Sequence, residues 1–251
     1  MIKLSCVWVC AFILFSFSGI AKAQDAPSAV DILIKSDTIR NPQTDYITQV
    51  KITNIKPGRE DSVSTYEVMI SGRDKTISQT LSPAIDKGRT MLMLGKDVWV
   101  YLPNLSKPLR ISLSERLVGE VSNGDIARAN FTGDYNPTLT RTEHIEGKTY
   151  YVLDLEANAP DVTYGRVMLW VEEGTYNPLK AEFYAVSGRL LKTSSYEEFR
   201  ELAGVIRPTK IVMTDAFIKD QRSVLEYPDI ELKSVPDKYF TKAYMKKLAD
   251  F

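Results

Sequence analysis

The sequence predicts a mainly β protein, an antiparallel barrel or sandwich, and three observations lead there. Stretches in which apolar and polar residues alternate follow one another along most of the chain. Glycine, proline and asparagine stand in the breaks, and no helical crossover recurs between successive strands, as a parallel sheet would require. Roughly ten or eleven short strands are read in this way.

Residues 1–23 combine Lys3, an apolar run from Leu4 to Ile20 and the small-x-small ending Ala21-Lys22-Ala23, the pattern of a secretory signal peptide cleaved after Ala23. Cys6 and Cys10 both fall inside it, so residues 24–251 are expected to form one domain without a disulfide or thiolate nucleophile. Cys10 follows Val7-Trp8-Val9, which does not match a lipidation site, so a soluble exported protein is expected. Ser28 and Asp31 then form a capping box, and Val30, Leu33 and Ile34 a one-sided stripe that ends at Asn41-Pro42, predicting a first helix.

From Asp45 the period becomes two. Tyr46, Thr48, Val50 and Ile52 alternate with Ile47, Gln49, Lys51 and Thr53 up to Lys56-Pro57-Gly58. Further strands are expected near 64–71, 75–81, 89–94 and 97–102, the last two forming a hairpin about Gly95-Lys96. Others follow near 149–156, 164–172, 179–186, 190–197, 206–215 and 222–232. Between Leu113 and Leu139 the strand pattern lapses, and Ser122-Asn123-Gly124-Asp125 opens a short capped helix or turn. Phe240, Tyr244, Leu248 and Phe251 repeat at helical spacing, with Lys242 and Lys246 on another face.

The composition excludes more than it assigns. With 44% hydrophobic and 25% charged residues the chain is neither disordered nor a multi-span membrane protein. Its 32 basic and 32 acidic side chains make no basic groove, which argues against a nucleic-acid partner. His144 is the single histidine, and it lies in a polar turn with no Gly-x-Ser-x-Gly elbow elsewhere. Glu172-Glu173 and Glu197-Glu198 sit at strand ends, where neighbours point to opposite faces and suit a solvated rim better than a glycosidase pair. No dinucleotide fingerprint, P-loop, calcium loop or zinc-ligand spacing is present, so no catalytic residue, cofactor or metal is expected.

Two strands are strongly one-sided. Leu179, Ala181, Phe183 and Ala185 alternate with Lys180, Glu182 and Tyr184, and Tyr151, Leu153 and Leu155 alternate with Val152, Asp154 and Glu156. An apolar sheet face must be covered by a second sheet, by helices or by a ligand. A curved sheet under a helical lid leaves an apolar cavity.

Gly95-Lys96-Asp97-Val98-Trp99-Val100-Tyr101-Leu102-Pro103, Leu109-Arg110-Ile111-Ser112, Gly119-Glu120 and Gly124-Asp125-Ile126 together resemble the LolA-like family of outer-membrane lipoprotein-sorting proteins. The resemblance spans nearly the whole mature chain. It implies an unclosed antiparallel β-barrel around an apolar cavity with short helices as a lid, and a periplasmic role in carrying acyl chains of lipoproteins or lipids towards the outer membrane. Inner- or outer-membrane transport complexes are the implied partners. Val121-Ser122-Asn123 departs from the aromatic-acidic stretch of relatives and leaves the cargo open.

A carrier needs an adaptable lining, for which Trp99, Tyr101, Tyr151, Leu153, Met168, Trp170, Phe183 and Met213 are the candidates. Val30, Leu33, Ile34 and Ile126 are the candidate lid residues. The alternative is a non-catalytic interaction protein docking on a membrane export complex through Phe240, Tyr244 and Leu248 of its C-terminal helix.

Overall fold

The computed structural model describes residues 27–250; the signal peptide read in 1–23, its cysteines and Phe251 lie outside the described residues. Helix α1 (Ala29–Arg40) precedes six strands, β1 (Tyr46–Ile55), β2 (Ser62–Ser71), β3 (Lys75–Ser82), β4 (Thr90–Leu94), β5 (Asp97–Tyr101) and β6 (Leu109–Ile111). A ribbon of β7 (Arg116–Val118) and β8 (Val121–Ser122) leads into helix α2 (Asn123–Ala127). Then come β9 (Tyr135–Ile145), β10 (Lys148–Ala157), β11 (Arg166–Glu172), β12 (Pro178–Tyr184), β13 (Leu190–Leu202), β14 (Val205–Asp215), β15 (Arg222–Glu226), β16 (Ile230–Leu232) and helix α3 (Lys242–Ala249).

One sheet runs β6-β5-β4-β3-β2-β1-β15-β14-β13-β12-β11-β10-β9, with β16 beside β1. Its neighbours are antiparallel, and β1 joins the two runs of hairpins by pairing with β2 on one side and β15 on the other. The outermost strands, β6 and β9, do not meet, so the barrel is unclosed. That is the expected architecture with more strands than the roughly ten or eleven expected. The unread β9 is the instructive miss. Its polar sequence Tyr135-Asn136-Pro137-Thr138 lies on a sheet edge, where proline is tolerated and alternation is weak.

The period-two alternation divides the side chains between two faces. The inner face is the one that α1 and α2 cover. Under α1 it presents Tyr151, Leu153 and Leu155 of β10, Val167, Leu169 and Val171 of β11, and Phe183 of β12. Under α2 it presents Val50, Tyr66, Met91, Val98 and Met213. The outer face carries a separate cluster, Tyr150, Val152, Met168 and Trp170. A further outer cluster of Ile77 and Leu92, with Trp99 and Tyr101 against it, is covered by α3.

Four of the predicted lining residues are therefore misplaced. Met168 and Trp170 face outwards because Tyr151 and Leu153 pair with Val171 and Leu169, which makes the odd-numbered residues of β11 the inward ones. Trp170 instead donates its indole N–H to Glu143 at 2.9 Å. Trp99 and Tyr101 alternate with the inward Val98 and lie beneath α3, with the Lys242 ammonium 4.0 Å from the Trp99 ring centre.

The same packing corrects the docking alternative. Phe240, Met245 and Leu248 are buried against the outer face, Gln79 donates to the Leu248 carbonyl at 2.6 Å, and Tyr244 stacks on Tyr239. The apolar side of α3 is thus occupied within the chain. Removing residues 241–251 is expected to cost about 3–6 kcal/mol, because Met245 and Leu248 each contribute about 1.5–3 kcal/mol by burial. Thermal unfolding of the truncated chain checks this, and an unchanged midpoint counts against it.

Helix α1 begins as expected, Ser28 accepting from the Asp31 amide at 3.1 Å. Its buried side is different from the predicted stripe. Ile32, Leu33, Ser36 and Asp37 face the sheet, whereas Val30 and Ile34 are 49% and 45% exposed. Ala29, Ile32, Leu33, Ser36, Asp37 and Arg40 do follow helical spacing, but the second half of that stripe is polar and hides it from a hydrophobic reading.

Candidate functional site

The inner cavity lies at the seam between the two inner clusters. Its walls come from the C-terminal end of α1 (Arg40), from β1 (Tyr46, Thr48), from the middle strands (Phe183, Tyr196, Ile211, Met213, Leu225), from Tyr227 just after β15, and from α2 and its following loop (Asp125, Arg128, Phe131, Asp134). Its volume is about 50 Å³. Ligand pockets ordinarily occupy about 300–1,000 Å³, so the interior is largely filled by the chain's own side chains.

Of the predicted residues, Phe183 and Met213 line this cavity, and Tyr151 and Leu153 lie on the same inner face in the apolar layer beneath α1. Leu33 packs into that layer, and Ile126 of α2 is buried in the other inner cluster. Sequence reasoning missed the polar side chains. Their signal was a set of charged residues in the stretches read as lid and strand, Asp37 and Arg40 in one and Lys192 and Arg207 in the other.

Three buried ion pairs surround the cavity. Asp37 accepts from Arg40 at 2.9 Å, from the Thr132 amide at 2.7 Å, from the Thr132 hydroxyl at 2.6 Å and from the Phe131 amide at 3.0 Å. This pins α1 to the loop after α2. The Arg40 guanidinium also lies 4.0 Å over the Phe131 ring and donates to the Ala129 carbonyl at 2.7 Å. Arg128 grips Asp134 and reaches Asp74 at 3.0 Å and the Gly95 carbonyl at 3.2 Å, tying that loop to the β2–β3 and β4–β5 turns. Hydrogen bonding to Asp134, with burial opposing it, raises the Arg128 pKa further.

Lys192 of β13 donates to Asp125 at 2.6 Å and to the Glu120 carbonyl, and Asp125 also accepts from the Tyr164 hydroxyl at 2.7 Å and the Ser122 amide at 2.8 Å. Asp125 thus caps α2 while neutralising a cation on the sheet. Gly124 beside it is required by space, since a Cβ there would stand 1.9 Å from the Thr163 hydroxyl. At Gly119 the backbone has φ +54°, and a Cβ would meet the Asn54 side-chain oxygen at 1.8 Å. Two of the motif glycines therefore allow close packing.

Burial drives the pKa values of Tyr46, Tyr135, Tyr164 and Tyr227 above the usual 10. Below pH 10 these phenols are neutral whether the chain is folded or not, and their contribution to stability is intact. As pH rises beyond that, the unfolded chain loses protons that the folded one keeps. Stability is expected to fall by about 1.4 kcal/mol per pH unit for each such tyrosine. Denaturant midpoints read alongside tyrosinate absorbance test this, and ionisation of all tyrosines in the folded protein near pH 10 contradicts it.

Among the described residues no cluster of His, Cys, Asp and Glu could hold a metal ion, and no helix is long and apolar enough to cross a membrane. His144 stands exposed at the β9–β10 hairpin, 3.1 Å from the Thr149 hydroxyl.

An unclosed antiparallel barrel with helices over a small inner cavity defines the class of lidded half-barrels. A family model described as an uncharacterized protein matches residues 72–247. The crystal structure of a LolA superfamily protein from Nitrosomonas europaea is similar at 48% identity and a TM-score of 0.84, covering 87% of this chain and 100% of that one. The chain belongs to the LolA superfamily. The fold is shared at 21% identity with a putative outer membrane lipoprotein-sorting protein domain from Vibrio parahaemolyticus, TM-score 0.72, covering 87% of this chain and 98% of that one. It is shared likewise with a DUF1329 family protein from Desulfovibrio piger, also 21% identical, TM-score 0.75, covering 86% and 97%. No curated protein matches the chain.

Proposed function

We propose that the protein is a non-catalytic periplasmic carrier, which takes acyl chains of lipids or lipoproteins onto the inner face of its half-barrel and passes them towards the outer membrane. The observation that carries this reading is the underside of α1. Its first half is apolar, with Ile32 and Leu33 fully buried against the inner sheet, and its second half is polar. Lifting the helix would uncover Leu153, Leu155, Leu169 and Phe183, a continuous apolar surface. The polar half, with Arg40, stays in the cavity wall while the apolar half swings out, which keeps the opening inexpensive.

The magnitudes favour exchange of the lid for cargo. Exposing Ile32 and Leu33 costs about 3–6 kcal/mol, whereas burying a sixteen-carbon chain recovers on the order of 10 kcal/mol. A cargo chain can therefore displace the helix, and the helix can help to eject it on delivery. The signal-peptide pattern of 1–23 and the sorting function named for the Vibrio relative support the compartment and the route.

Mass spectrometry of the protein taken from its native periplasm, with displacement of a fluorescent fatty acid in solution, tests the proposal. Co-purifying lipid and saturable displacement are expected. A protein that emerges empty and binds no acyl probe overturns the carrier reading.

A further inference from the structure

We propose that the seam cavity is the seat of a compact anionic head group, so that the cargo is a single-chain fatty acid held with its carboxylate inwards. This rests on the carrier reading and specifies its ligand. The cavity wall is unlike a grease-lined pocket. In that wall Arg128 is matched by Asp134, Arg40 by Asp37 behind it, and Asp125 by Lys192 behind it. Arg207 does not itself line the cavity, though its charge reaches Tyr46 of the wall, and no carboxylate matches it. It is only 3% exposed, and among the described residues it reaches carbonyls alone, those of Thr38 at 2.6 Å, Ile39 at 3.1 Å and Leu202 at 3.1 Å.

The C-terminal end of α1 thus supplies only partial negative charge to a full buried cation. Desolvation lowers the Arg207 pKa, as expected of a cation without a carboxylate. Tyr46 lines the cavity and feels the charges of both Arg207 and Arg40.

A second observation points the same way. Arg40 lines the cavity with its side chain 9% exposed, and its Nε–H has no hydrogen-bond partner. Buried polar groups without partners are uncommon and call for a ligand or ordered water. Tyr196 and Tyr227 stand in the same wall and both interact with Arg40. Phenol and guanidinium donors in the wall, with one surplus positive charge behind it, suit a carboxylate. About 50 Å³ admits such a head and excludes its tail, which would lie along the apolar inner sheet that α1 now covers.

The experiment is competition against a fluorescent fatty acid on delipidated full-length mature protein at pH 8, using hexadecanoate, hexadecyl phosphate, hexadecanol and methyl hexadecanoate. Hexadecanoate is expected to compete at about tenfold lower concentration than the alcohol or ester. Arg40→Met should abolish that preference, and Arg40→Lys should restore part of it. Tyr227→Phe keeps the ring and should lower the preference several-fold if the Arg40 variants do not fold. Equal competition by acid and alcohol, or a preference that survives in a folded Arg40→Met and in Tyr227→Phe, overturns the inference while the carrier reading stands. Stronger competition by hexadecyl phosphate replaces the carboxylate and overturns the fatty-acid assignment. Failure of every chain to compete removes the carrier reading itself.

Discussion

Replacing Lys192 by methionine is expected to destabilise the fold by about 3–5 kcal/mol, among the largest effects of any single substitution. Lys192 and Asp125 side chains are 4% and 6% exposed, and they join β13 to α2 across the inner face. Without the ammonium, Asp125 retains the Tyr164 hydroxyl and the Ser122 amide but becomes a buried carboxylate with no cation in contact. The Glu120 carbonyl loses its donor as well. Asp125→Asn combined with Lys192→Met removes both charges, and the pair is expected to recover much of the loss, since a buried ion pair contributes little beyond a neutral replacement. Chemical denaturation of both singles and the double closes the cycle. A Lys192→Met loss below about 1 kcal/mol means that water reaches the pair and that the inner face is already open.

That pair also marks how far the sequence could be read. Backbone architecture was legible because strand alternation and turn residues are local, and the helix at Ser28 announced itself by its cap. The resemblance carried by Gly95 to Pro103 and by Gly124-Asp125 pointed to the right superfamily. Which face a strand shows to the interior was not legible wherever both faces are apolar. In β11 Val167, Leu169 and Val171 compete with Met168 and Trp170, and only the register with β10 decides between them.

The cavity chemistry was less legible still. Lys192 and Asp125 are 67 residues apart and Arg207 lies 168 residues from the Ile39 carbonyl, so no spacing rule links them. A lysine inside an alternating strand reads as solvated until the sheet curls over it. The α1 stripe failed for the related reason that an apolar stripe cannot include Ser36 and Asp37, although both are buried. Polar residues at inward positions are the places where local rules and the final structure part, and here they gather around the candidate site.

Asp37→Ala is expected to release the lid. The carboxylate holds two backbone amides, the Thr132 hydroxyl and the Arg40 guanidinium, and alanine strands all four donors in a buried setting. The loss should again be about 3–5 kcal/mol, since Arg40 is left as an unpaired buried cation. In a chain of this size that lowers the thermal midpoint by roughly 6–20 °C. Asp31→Ala, at the exposed start of the same helix, should cost no more than about 1 kcal/mol and serves as the control. Hydrogen exchange separates a lid effect from general softening. The α1 amides should lose protection in Asp37→Ala while those of β10 to β13 keep theirs, and uptake of a fluorescent acyl probe should become faster. If α1 and the sheet lose protection together, the helix belongs to one cooperative core with the strands, and the energetic case for a lid that opens independently of the sheet fails.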